Sequence, residues 1–357
     1  MKQHLSSRRL QAARFILSAL FCVAVQFASE ANPTGGTVAQ GSASISTIGS
    51  QVNINQTSAN AFINWQSFNL SPGETTTFNQ PSASSVTWNY INDPSVSSIN
   101  GNINANGYVV LQNPNGFSIG GSAVINAHGL VMTTASTPAL DLSGGGAWSF
   151  NSPPPTAKIV NYGQINITGG GSGFLIASDI ENNGTISAPG GKIGLYAGQK
   201  VLVSMSPDGR GLSAQVTLPQ GSVDNNGQLI ADAGSIAAQA QFVNQDGLIQ
   251  ANSVQKINGV IELVASDKLN LGASSDLKAN GDSTSASASQ GGFVVLNAGS
   301  QTFADQAGSK ISALGANAGQ NGIVEILCKV VTSGGLLSTY GSLYSLLSTT
   351  SSMTFSA

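Results

Sequence analysis

Imidazole is scarce in this chain. Of its two histidines, His4 falls within residues 1–31, which read as a cleavable leader. His128 sits in the turn Asn126-Ala127-His128-Gly129. No second histidine or thiolate accompanies it, so it reads as a solvated turn residue rather than a zinc ligand. Asp179 and Glu181 are two residues apart and could share one strand face. Paired carboxylates are the minimum for acid–base work on a glycoside, yet these two, and the small cluster Asp208-Gly209-Arg210, read as surface charges at turns. Gly190-Gly191-Lys192 lacks the spacing and hydroxyl of a phosphate loop. No Gly-x-Ser-x-Gly elbow is present. Cys22 leaves with the leader, and Cys328 then has no intrachain disulfide partner. Neither a catalytic centre, a metal site nor a cofactor is expected.

The composition excludes further classes. Charged residues make up 8% of the chain, against roughly 25% in an ordinary globular protein. The net charge is −3, and the leader would take Lys2, Arg8, Arg9 and Arg14 with it, leaving the mature chain more acidic. Nucleic acid is therefore not an expected partner, since it needs a basic face. The leader combines that basic start with an uncharged apolar run, Phe15 to Phe27, and small residues at Ala28, Ser29 and Ala31. The run is shorter than the roughly 20 residues of a membrane-spanning helix. Four Asn-x-Ser/Thr sequons, at Asn55, Asn69, Asn166 and Asn183, are what chance supplies in so Asn-rich a chain.

Whatever the chain does must be positioned by strands. From Thr34 to about Val331 no helical periodicity stands out. Short alternating segments such as Val52-Asn53-Ile54-Asn55, Tyr108-Val109-Val110-Leu111 and Phe293-Val294-Val295-Leu296 lie between Gly, Asn and Asp turns. A repeat is visible: Asn, then Gly, then two apolar positions one residue apart. It appears around Gly163, Gly184, Gly227 and Gly247, with a weaker copy at Gly308. The separations approach multiples of about 20 residues, the sign of a solenoid; the interval from Gly184 to Gly227 reads as two units and that from Gly247 to Gly308 as three. The expected fold class is all-β, a right-handed parallel β-helix with an amino-terminal strand cap. Ile165, Ile167, Ile186, Leu229 and Ile249 should point into its core. Asn and Gly should supply corners with positive φ, and corner asparagines should stack in ladders. The expected division is leader 1–31, amino-terminal domain 32–142, a Gly/Pro-rich loop 143–157, continuing repeats 158–331 and an atypical tail 332–357. A second Ser/Ala/Gly-rich stretch, Asp282 to Gly292, reads as a loop outside the stack.

One turn stands out. In Asn113-Pro114-Asn115-Gly116, proline fixes φ at the second position, Asn113 can bond the backbone ahead, and Asn115 and Gly116 tolerate the remaining geometry. It should join a strand ending near Gln112 to one beginning at Phe117.

Residues 32–135 resemble the amino-terminal secretion domain of filamentous-haemagglutinin exoproteins. The matching pieces run in order. They are Asn64-Trp65-Gln66-Ser67-Phe68, Gly73-Glu74-Thr75, Phe78-Asn79-Gln80-Pro81, Ser84-Ser85-Val86 with Asn89, Ile99 to Gly107, Asn113 to Phe117, and Gly120 through Val131. A second family motif, Asn-Pro-Asn-Leu, is absent, and Trp88 and Tyr90 depart from the usual residues around Asn89. The resemblance implies a secreted or surface-exposed, non-catalytic, adhesin-like exoprotein. Its partner would be an outer-membrane two-partner secretion transporter, met through that transporter's periplasmic modules. Asn113, Pro114, Asn115 and Gly116 would be the secretion motif, and surface glycans or proteins would be further partners. The alternative reading is a β-helical polysaccharide lyase or hydrolase, which needs three or more acidic or basic side chains meeting on adjacent coils.

Overall fold

A computed structural model describes residues 32–136, 147–206, 211–284, 287–333, 338–340 and 342–355, and of residue 330 and those from 333 onward it describes the backbone only. The proposed leader, the triplet Gly144-Gly145-Gly146 and Asp208-Gly209-Arg210 lie outside the described residues. Those described form strands and turns, with no helix among them. Pairing from Asn60 onward within the stack is parallel, coil upon coil, as in a β-helix.

Alternation builds the interior. Ile165, Ile186, Leu229, Ile249, Leu277 and Ile311 occupy one register position on six successive coils. Each is at most 1% exposed, as is Ile167. Burying a side chain of this size stabilises the fold by roughly 1.5–3 kcal/mol. The amino-terminal end is closed by antiparallel strands. Ala43–Ile48 folds back on Gln51–Gln56, and Thr37–Gln40 lies antiparallel to Asn60–Trp65. The buried Gln56 amide ties this cap to the next coil, donating to the carbonyls of Ser58, Ala59 and Val86.

The repeat glycines answer to a different constraint from the one expected. Gly163, Gly184, Gly227 and Gly247 are absent from the residues with positive φ. Instead they stack, and a Cβ on Gly184, Gly227 or Gly247 would strike the carbonyl oxygen of the glycine one coil earlier. Close approach of backbones, not corner geometry, excludes a side chain. Gly308 is out of phase: Lys310 pairs with Asp276, which pairs with Leu248, so Ser309 and not Gly308 continues the Gly247 position.

The number of coils also differs from the one expected. Asp179 pairs directly with Ser222, so the 43-residue interval is one coil carrying an excursion, not two coils. Likewise only two coils, of 28 and 34 residues with long corners, separate Leu248 from its register mate Lys310. The shortest coils are 20 to 22 residues long.

The excursions have structure. Lys200–Met205 and Leu212–Val216 form a hairpin to which Trp148–Asn151 adds antiparallel. The described part of 143–157 is therefore not all loop. This three-stranded sheet covers a second apolar cluster on the outside of the coil stack. Phe62, Trp88, Val110, Val131 and Phe174 lie in one outward row. Phe150, Val201, Val203 and Leu212 from the outer sheet pack on that face. Trp88 stacks on Phe150, with centroids 5.6 Å apart, and meets Trp148 edge-on. Tyr196 is buried here; burial, and secondarily the charge of Glu262, push its phenol well above its ordinary value of 10.0. At the other end, the backbone of Ser342–Phe355 pairs parallel with Ile323–Ser333. Loss of the Asn-Gly repeat in 332–357 thus does not end the parallel pairing.

Candidate functional site

The turn Asn113-Pro114-Asn115-Gly116 forms where the strand Tyr108–Gln112 leaves the stack and Phe117–Ile119 re-enters it. Gly116 N donates to Asn113 O at 3.0 Å, closing the β-turn. Asn115 N donates to Asn113 Oδ1 at 2.9 Å, the local bond expected of an asparagine at the first position. Gly116 has φ of 105°, and a Cβ there would strike Lys158 O on the following coil. Both reasons demand glycine.

The turn is also fastened sideways. Asn113 is fully buried, and its Nδ2 donates to Ser95 O at 3.0 Å and to Ser97 Oγ at 2.9 Å. Its backbone N–H donates to Thr133 O. Asn115, though exposed, donates from Nδ2 to Asp93 O at 2.7 Å. Asp93 in turn caps its own turn, accepting from Ser95 N. Four motif residues thereby hold the previous coil's turn, the next coil's strand and their own corner in one arrangement. The polar groups of Asn113 are spent inside the protein, while Pro114 and Asn115 face outward.

Other residues of the matched pieces are also buried and paired. Trp65 Nε1 donates to Asn89 Oδ1 at 2.9 Å, and Asn89 Nδ2 donates to Val110 O. Gln80 Nε2 reaches Ser85 O, Thr87 Oγ1 and Tyr108 O, while its Oε1 accepts from Gly107 N. Trp88 Nε1 donates to Gln112 Oε1. An unpaired buried polar group costs about 1–3 kcal/mol, so each pairing fixes the register of one coil on the next.

The expected asparagine ladder exists and is buried. Asn161 Nδ2 donates to Asn182 Oδ1 at 2.8 Å, Asn182 to Asn225 at 2.7 Å, and Asn225 to Gln245 Oε1 at 2.8 Å. Of the sequon asparagines, Asn55, Asn166 and Asn183 lie in further amide pairs, and Asn69 Oδ1 accepts from Ser98 N.

Candidate chemistry is weaker. His128 is half-buried with its ring edge-on to Tyr108, centroids 5.4 Å apart, so it is not the solvated residue expected. Cys328 is buried, which raises its thiol pKa and leaves it a poor nucleophile. Asp179 and Glu181 do share a strand face, and Asp224 joins Glu181 from the next coil. Each is committed: Asp179 accepts from Ser222, Glu181 from Asn183, and Asp224 from Asn244 and Ser222. No group of three potential ligands able to hold a metal occurs among the described residues.

The outer sheet and its apolar face escaped the sequence reading. The signal was present: Tyr108-Val109-Val110-Leu111 and Phe174-Leu175-Ile176-Ala177 are unbroken apolar runs, the mark of strands covered on both faces, and Tyr108–Gln112 and Ser172–Ala177 are buried at every position.

Residues 29–210 match the family model described as the TPS secretion domain. A heme/hemopexin-binding protein of Haemophilus influenzae is 31% identical over 260 residues, covering 69% of this chain and 28% of that protein. Another protein of that description from the same species is 26% identical over 261 residues. The chain thus spans less than a third of the length of these relatives. Among solved structures, the HMW1 secretion domain from Haemophilus influenzae superposes with a TM-score of 0.71 at 24% identity, covering 87% of this chain and 92% of that one. The filamentous hemagglutinin secretion domain gives a TM-score of 0.50 at 15% identity, over 87% of this chain and all of the other.

Proposed function

The chain belongs to the TPS secretion domain family, whose members are exoproteins exported across the outer membrane of Gram-negative bacteria by two-partner secretion, and from that premise we propose that its amino-terminal coils are the part the transporter handles, with Asn113, Pro114, Asn115 and Gly116 acting as a structural fastening rather than a contact surface. The observation that carries this reading is the complete burial of Asn113, whose amide bonds Ser95 and Ser97 of the preceding coil. A side chain so committed cannot also reach a partner. The motif then matters for export because the folded coils need it. The leader 1–31 would direct the inner-membrane step, and the transporter's periplasmic modules would meet the amino-terminal coils.

The exported protein, on this reading, is non-catalytic and adhesin-like. The carboxylates that a glycan-cleaving alternative would use, Asp179, Glu181 and Asp224, are engaged with neighbouring hydroxyls and amides. The relatives are named for heme and hemopexin binding; we carry over only that the protein meets a ligand outside the cell, with surface glycans or proteins as the candidates.

The test is the Asn113→Ala/Asn115→Ala double variant, expressed with the cognate transporter. Extracellular protein should fall while the leader is still removed. The purified variant should melt lower yet bind the isolated periplasmic modules normally under conditions where it is folded. Normal melting with lost module binding would make the turn a recognition element instead. Normal secretion would defeat both roles.

A further inference from the structure

The corners that carry the stacked glycines leave a groove of about 650 Å³ running from coil to coil. Its floor is the backbone at Gly163, Gly184, Gly227 and Gly247. One wall is the row Gln164, Thr185, Gln228, Leu248 and Asp276, residues in register on five successive coils. The other wall is formed by the residues just before the glycines: Tyr162, Asn183, Asn226 and Asp246.

Tyr162 has no structural reason to be aromatic. Asn183 and Asn226 at this corner bond each other across coils, and Asp246 Oδ1 accepts from Ser274 N. Tyr162 makes no ring contact or side-chain hydrogen bond of that kind among the described residues and is 53% exposed. Leaving an aromatic ring in water forgoes apolar burial, and the turn chemistry of Asn or Asp is forgone as well. Across the floor, Gln164, Thr185 and Gln228 contribute donor–acceptor groups that face the groove. At the far end stand the carboxylates Asp246 and Asp276, the latter bridged to Lys278 at 2.7 Å.

We propose that this groove binds a neutral, linear oligosaccharide along the coil axis, stacked at one end on Tyr162. An aromatic face packs against the C–H face of a sugar ring, amides and hydroxyls match sugar hydroxyls in both donor and acceptor roles, and the coil spacing of ~4.8 Å is about the length of one pyranose unit. The carboxylates at the far end disfavour a polyanion. The proposal rests on the reading that the exported protein binds surface ligands, and gives that reading a place and a ligand class.

The experiment is titration of the purified mature protein with neutral hexose oligomers of two to six units, built from glucose, galactose, mannose or N-acetylglucosamine, and with uronic-acid oligomers of equal length. At least one neutral series should bind with affinity that rises with length, and the acidic series should bind more weakly. Tyr162→Ala should weaken binding about tenfold, the loss of one ring-stacking interaction, with Tyr162→Trp retaining it. Gln228→Ala should weaken it independently. Both side chains are exposed, so melting temperature should not move. Absence of binding by every neutral series, stronger binding of the acidic one, or affinity indifferent to both substitutions would overturn the proposal. Attachment of the same variants to whole cells separates the two readings. If cells bind wild type and Tyr162→Ala equally while no oligomer binds, the surface-binding reading stands and the groove is not its site; if wild type binds neither, both fall.

Discussion

At the scale of single residues, most polar side chains of the motif region are internal fasteners. Asn113 shows the logic best: two donated bonds, one accepted, and no exposed surface. Asn113→Ala should destabilise the isolated domain by about 1–3 kcal/mol through the partners it leaves unpaired, measured by denaturant unfolding. Asn182 is a harsher case, because its removal strands the Asn161 donor below and the Asn225 acceptor above. Asn182→Leu should therefore cost more than Ile186→Ala, for which cavity formation predicts about 2–4 kcal/mol; a negligible cost of Asn182→Leu in the same unfolding assay would show that the ladder is idle. Tyr196 gives a pH signature. Its phenol titrates near 10.0 in the unfolded chain and higher when folded. The unfolded state thus loses its proton first as pH rises, so the stability this group contributes is full below pH 10.0 and is lost above it. Tyr196→Phe should blunt the fall in melting temperature above that pH. At this scale the sequence was informative about type but not role. Alternation marked the core isoleucines, and turn chemistry marked Asn113 and Gly116. Nothing local distinguishes a glycine needed for positive φ from one, like Gly227, that must let a neighbouring carbonyl approach.

At the scale of elements, the outer sheet is the unexpected part. Trp148–Asn151 and the strand pair Lys200–Met205 and Leu212–Val216 do not belong to any coil, yet they bury the aromatic face of the strands Val86–Ile91 through Lys192–Ala197. Replacing 199–217 with a short Gly-Ser link should leave the coils parallel but expose that face. We expect strong binding of a hydrophobic dye and self-association in sedimentation, with little loss of β-sheet signal in circular dichroism. Unchanged dye binding would mean that the hairpin covers nothing essential. Sequence periodicity does not reveal this sheet, because an excursion adds residues to a coil without adding a repeat. Its trace lies in composition: Phe62, Trp88, Val110, Val131 and Phe174 are outward positions filled with apolar residues.

At the scale of the whole described unit, the parallel stack and the amino-terminal cap were legible because they follow from pattern. Asn-Gly recurrence gives coils, and alternation gives their interior. Coil number was not legible, since spacing alone cannot tell a long corner from a skipped repeat. The parallel partner of Asp179, Ser222, decides it. Corners after Leu248–Gln250, Asp276–Lys278 and Lys310–Ser312 also lengthen, and isolated bridges such as Ser289 with Ala316 join them. Because those corners lie outside the ladder of amides and glycines, shortening 282–290 should leave the cooperative melting of the stack nearly unchanged. A large drop in melting temperature would mean that the bridged corners brace the coils.

The rungs of the amide ladder are nearly interchangeable: three asparagines and a glutamine, each above a stacked glycine. A chain built only of such coils would be degenerate, since Asn161 could settle on Asn225 as readily as on Asn182 with the intervening turn extruded. Unequal excursions lift that degeneracy. A coil whose corner must reach out to lay strands over Trp88 cannot trade places with a bare coil of 20 or 21 residues. The irregular insertions thereby act as address labels, giving otherwise identical turns a single permitted order and widening the energy gap to mis-stacked arrangements.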